Sequence, residues 1–220
     1  MRRRLIIIGL SFLGALLLMI GLARIGGGES GPAIGPALTV LDGVPQAGTV
    51  LGGDSTLQIT EYIDLLCDPC ALQSETVIPD LIRERVARGD VAVERLVLAR
   101  SGQESRALAL ASYAAGEQGR LWHFTEAWLA ARRAGTAEVS VPGIYAIAEL
   151  SGLDLERFAA DLARGQERLN DLASADQRAA ADKITLTPAF VVRGQGGEVV
   201  LNGIQDTAAI DRAIAEVAGP

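Results

Sequence analysis

The sequence predicts an α/β fold with a helical insertion, preceded by an N-terminal transmembrane helix. Three observations lead there. Residues 56–65 and 91–99 read as short apolar strands flanking one helix, so the first unit is β-α-β with parallel strands. Residues 103–182 carry helical periodicity almost throughout, and the chain then returns to two strands and a closing helix. Ahead of all this, Arg2, Arg3 and Arg4 precede an uncharged run over residues 5–23, about the length that crosses a bilayer.

The basic start and the acidic remainder predict the N-terminus inside and the domain outside the cytoplasm. A cleaved signal peptide is the alternative, but the apolar run is long for one and Ala23-Arg24 is a weak cleavage site. Residues 1–24 are therefore assigned as a signal anchor. Residues 25–47, opening with GGGESGPAIGP from Gly26, form a linker and the start of the fold. Over residues 37–50, Leu38, Val40 and Val50 suggest a short strand or extended arm.

Residues 48–102 hold the first part of the core. Leu57, Ile59, Ile63 and Leu65 alternate along the first strand, which runs into Cys67-Asp68-Pro69-Cys70. The helix after it spans residues 71–88, with a kink expected at Pro79. Residues 103–183 form the insertion, its helices separated by Gly135, Gly152 and Gly165, with Ser140 as an N-cap. Residues 184–220 complete the core: strands at 184–192 and 198–201 joined by a glycine-rich turn as an antiparallel hairpin, then an amphipathic helix bearing Ile210, Ile214 and Val217.

The 220 residues carry a net charge of −7, two cysteines and one histidine. Without the four arginines before residue 25 the charge is four units more negative, −11. So acidic a domain is a poor nucleic-acid binder. Two cysteines and His123 do not supply the four ligands of a zinc site, and no cofactor is expected. His123 reads as a packing residue, and Trp122, Phe124 and Trp128 as core of the helical block.

A C-x-x-C pair at a strand-to-helix junction has a direct chemical reading. Cys67 sits at the helix cap, where unpaired N–H groups and the helix dipole favour a thiolate. Cys70 lies one turn on, within reach of a disulfide, and Pro69 suits the first turn. A purely structural disulfide is the bland alternative, but so short a loop staples nothing distant.

The chain resembles the DsbA-like thiol:disulfide oxidoreductases, which have a thioredoxin-like fold with an inserted helical domain. The resemblance rests on Glu61-x-x-Asp64-x-x-Cys67-x-x-Cys70, on Pro79 in the active-site helix, on residues 115–122 (AGEQGRLW) and on Thr187-Pro188 before AFVV. It implies that Pro188 is cis and, with Thr187, positions substrate backbone. It also implies that Glu61 is a buried acid serving Cys70, that Cys67 attacks and that Cys70 resolves. Asp64 reads as a local hydrogen-bonding residue. The expected substrates are exported cysteine-containing polypeptides, and the expected partner is a quinone-linked membrane protein that reoxidises the pair. Two departures stand out. Asp68-Pro69 replaces the Pro-His of strong oxidants, and an acid beside Cys67 opposes a dipole effect of about 1 kcal/mol, implying a less oxidising couple. Leu186 stands where glycine often precedes Thr-Pro. The rival readings are a reductase or isomerase using the same site, for instance in cytochrome maturation, a non-catalytic binding or chaperone module, and a glutathione-dependent transferase.

Overall fold

The computed structural model describes residues 35–219. The expected anchor and the first part of the linker lie outside the described residues. Among the described residues no helix is long and apolar enough to cross a membrane.

The first elements differ from expectation. Residues Leu38–Val40 form one 3-10 turn instead of a strand, with Ala37 and Leu41 buried on either side. The alternation of Leu38 and Val40 imitates a strand, but local hydrogen bonds to Gly35, Ala37 and Leu38 close the segment on itself. Strands β1 (Gln46–Ala47) and β2 (Val50–Leu51) then form a small hairpin.

Strand β3 (Gln58–Ile63) leads to helix α1 (Asp68–Thr76) and short helix α2 (Ile78–Leu81), followed by a π-helical turn at Ile82–Val86. The break falls at Val77, two residues before Pro79. A proline there lacks the N–H that would bond one turn back, so the first helix ends and a second starts with Pro79 in its first turn. Strand β4 (Ala92–Val97) returns parallel to β3, with Glu61 opposite Arg95 in register.

The insertion comprises α3 (Gln103–Gly116), α4 (Leu121–Arg133), α5 (Val141–Leu150), α6 (Leu155–Ala163) and α7 (Gly165–Ala181). Ser140 and Asp154 cap α5 and α6 by accepting from Gly143 and Arg157 N–H at 3.1 and 2.9 Å. Strands β5 (Ala189–Gly194) and β6 (Gly197–Asn202) and helix α8 (Thr207–Val217) close the chain. Strand β5 starts five residues later than expected. The Thr187 carbonyl turns toward Cys67, and Pro188 has no N–H to give a ladder, so pairing begins at Ala189 opposite Tyr62.

The six strands run in the order β1-β2-β4-β3-β5-β6, with β3 central and buried along nearly its whole length. Its polar side chains are satisfied on both faces. Tyr62 donates to Asp182 at 2.6 Å beside α7, and Thr60 accepts from Arg178 and Arg193. Glu61 points to the other face, toward α4. A strand covered on both faces explains why apolar alternation alone understates its burial.

Candidate active site

Cys67 is the N-cap of α1, with extended backbone (φ −83°, ψ 116°) and a half-buried side chain. The Cys70 N–H donates to its sulfur at 3.2 Å, filling the cap position that a serine oxygen takes in other helices. The Cys67 thiol donates to the Thr187 carbonyl at 3.3 Å. Cys70 is buried, and both cysteines are free thiols in this structure. The Thr187-Pro188 bond is cis. Sequence positions 67, 70, 187 and 188 thus meet at one point.

The two sulfurs are differentiated by their surroundings. Hydrogen bonding from Cys70 lowers the Cys67 thiol to about 6, helped by the Thr187 side chain and opposed by burial and by the charge of Asp64. Burial, followed by the hydrogen bond to Cys67, pushes Cys70 well above the usual thiol range. An acidified, half-buried thiol beside a buried, protonated one is an arrangement that suits stepwise dithiol exchange.

Asp68 is exposed and pairs with Arg132 of α4 at 2.6 Å. Its charge therefore has a cation beside it, and Asp64 is the acid that opposes the Cys67 thiolate. Asp64 is fully buried and accepts four hydrogen bonds: from Leu66 N–H at 2.8 Å, and from Arg100 N–H, Ser101 N–H and the Ser101 hydroxyl at 2.8 to 2.9 Å. It ties the turn before Cys67 to the loop after β4. Pro69 occupies the first turn of α1.

Glu61 is buried, and burial raises its proton affinity against the opposing pull of Arg95. Arg95 Nε donates to Glu61 Oε2 at 2.8 Å, and Nη2 approaches the same oxygen at 2.7 Å. This arginine was not singled out in the sequence. The available signal was a charge in the middle of the apolar run VAVERLVLA, which needs a buried partner. Glu126 also went unremarked, although it falls on the stripe of Trp122 and Leu129. Gln73 of α1 is a third such residue. It exchanges two hydrogen bonds with the Gln205 backbone at 2.8 and 3.1 Å, while Gly203 N–H donates to the Pro188 carbonyl at 2.9 Å. These contacts hold the Pro188 strand against the redox helix.

Trp122, Phe124 and Trp128 are fully buried. The two indoles do more than fill the insertion. Trp128 donates to the Leu65 carbonyl and Trp122 to the Thr49 carbonyl, both at 3.0 Å. His123 is half-buried and contacts Gln46 through Nδ1 at 3.1 Å, with its proton affinity lowered chiefly by burial. It lies with β1, as a packing residue. Among the described residues no group of His, Cys, Asp and Glu is placed to hold a metal.

The thioredoxin family matches the chain over residues 46–214. No curated protein sequence matches it. Similar solved structures include the oxidised form of BdbD from Bacillus subtilis, with 20% identity and a TM-score of 0.66 over 79% of this chain and 96% of that one. The thiol-disulfide exchange protein alpha-DsbA2 from Wolbachia pipientis has 16% identity and a TM-score of 0.63 over 80% of this chain and 89% of that one. DsbA2 from Pseudomonas aeruginosa has 26% identity and a TM-score of 0.54 over 79% of this chain and 95% of that one. The chain belongs to the thioredoxin family, among its DsbA-like thiol:disulfide oxidoreductases.

Proposed function

We propose that the protein is a membrane-anchored thiol:disulfide oxidoreductase, working outside the cytoplasm and forming disulfides in exported cysteine-containing polypeptides. The observation that carries the reading is the Cys67 sulfur at the cap of α1, accepting from the Cys70 N–H at 3.2 Å above a buried Cys70, a place that favours a thiolate. A stabilised thiolate favours the reduced pair, and a couple whose reduced form is favoured is an oxidant of other thiols. The Arg132 pairing of Asp68 supports the same direction.

In the proposed reaction a substrate thiolate attacks Cys67 of the oxidised pair. The Cys67–Cys70 bond breaks, Cys70 takes a proton, and Cys67 is joined to the substrate. A second substrate thiolate then attacks the substrate sulfur of that bond, and Cys67 leaves as its thiolate. The substrate loses two electrons and the pair gains them. Thr187 and Pro188 align the substrate backbone beside Cys67, and Glu61 handles the proton of Cys70. The basic, apolar N-terminus supports anchoring and an extracytoplasmic site. A quinone-linked membrane protein would reoxidise the pair.

Equilibrating the protein in glutathione buffers tests the reading, with a Cys70→Ser variant used to trap mixed disulfides in cells. A potential of roughly −120 mV and trapped exported proteins support the oxidase. A potential of roughly −270 mV assigns the reductase direction instead. A pair with no reversible couple would leave only a binding module.

A further inference from the structure

Beneath the redox helix two carboxyl groups compete for one guanidinium. Arg95 binds Glu61 as described, and its Nη1 donates to Glu126 Oε1 at 2.6 Å and to the Thr125 hydroxyl at 2.8 Å. The Trp122 ring lies against the guanidinium, 3.8 Å from its centroid. The other carboxyl oxygen of Glu126 accepts from the Ser74 hydroxyl. Thus β3, β4, α4 and α1 each contribute to one cluster, and Glu61, Arg95 and Glu126 are at most 1% exposed. Ser74 follows Cys70 by one helical turn, and both are buried, so they share the inner face of α1. These are the cluster's polar partners among the described residues.

With both acids ionised the cluster carries one negative charge more than Arg95 neutralises. A buried uncompensated charge is costly, and one proton on the cluster removes it. The cluster therefore has room for one proton, and its Ser74 lies one helical turn from Cys70.

We infer that Glu126 is a positioning residue of the dithiol site: by holding one arm of Arg95 and the Ser74 hydroxyl, it leaves Glu61 able to accept the proton that Cys70 loses when the two sulfurs join. This rests on the oxidoreductase reading above. With oxidised glutathione as the probe, the Cys67 thiolate first attacks one of its sulfurs, the glutathione S–S bond breaks, and one glutathione leaves as its thiolate while the other stays joined to Cys67. The Cys70 sulfur then bonds to Cys67, the bond from Cys67 to glutathione breaks, glutathione leaves as its thiolate, and the Cys70 proton passes to the Glu61 carboxylate.

The test is the pH profile of mixed-disulfide decay in the full-length reduced protein, followed by acid quench and mass spectrometry. Glu126→Gln frees Arg95 for Glu61, which becomes a weaker base. The half-maximal pH then falls by about one unit, and decay at neutral pH slows about tenfold. Ser74→Ala removes the hydroxyl donor from Glu126, which draws Arg95 harder, so the half-maximal pH rises. In a Glu61→Gln background, Glu126→Gln adds nothing further. Profiles of both variants that superpose on the parent, or additive slowing in the Glu61→Gln background, overturn the inference. If Glu126→Gln does not fold, Ser74→Ala decides alone: an upward shift supports the inference, and no shift or a downward one removes it. A parent that forms no mixed disulfide defeats the oxidoreductase reading and this inference together. An active parent with unmoved variants defeats this inference only.

Discussion

The acidity of Cys67 comes from hydrogen bonds, with Cys70 the largest contributor and the Thr187 side chain the next. Its alkylation rate should therefore be half-maximal near pH 6, and removing the main donor by Cys70→Ala should move that point upward. The sign for stability follows from the same shift. A thiol lowered on folding stabilises the folded reduced protein above the unfolded thiol's range, about 8.5, and this contribution is lost as the pH falls through about 6. Urea denaturation of the reduced protein should show stability rising across that window, and Cys67→Ala should remove the rise. Asp64 makes a separate prediction. Four hydrogen bonds converge on its buried carboxylate, so Asp64→Ala strands three N–H groups and one hydroxyl. The expected cost is about 2–4 kcal/mol by denaturation.

Helix α4 is the element that joins insertion to core. It places Trp128 on the Leu65 carbonyl just ahead of Cys67, and Arg132 on Asp68 just after it. Trp128→Phe keeps most of the buried ring and loses one hydrogen bond, leaving a buried carbonyl unpaired. It should cost about 1–3 kcal/mol and loosen the Cys67 turn, seen as faster amide exchange at Leu66 and Cys67. The helices of the insertion were legible in the sequence because Ser140 and the glycines at 135, 152 and 165 are local signals. So was the junction of strand and C-x-x-C. The segment at residues 38–40 misled because two apolar residues at spacing two satisfy a strand pattern, whereas three residues closed by their own hydrogen bonds make a turn. The pairing of Glu61 with Arg95 could not be read locally. It depends on the register of β3 against β4, and the third member of the cluster arrives from a helix between the two halves of the core.

At the scale of the molecule, polar contacts inside the core bind together parts that the sequence separates. Arg95 alone links β3, β4 and α4. Arg95→Gln leaves two buried carboxyls without their cation and should cost about 3–5 kcal/mol. Raising the temperature should then melt α4 and the sheet together, which differential scanning calorimetry would record as one cooperative transition at lower temperature. On the opposite face Asp182 joins Tyr62 and Arg193, with hydrogen bonds from both lowering its proton affinity against burial.

The contact between Cys67 and the Thr187 carbonyl spans 120 residues of chain. A ribosome adds roughly 5–20 residues each second, so the thiols are made on the order of 6–24 s before the segment that shields them. During that interval the nascent chain carries two cysteines without the Thr187-Pro188 segment beside them. The site is therefore assembled late in synthesis, well after its two sulfurs exist.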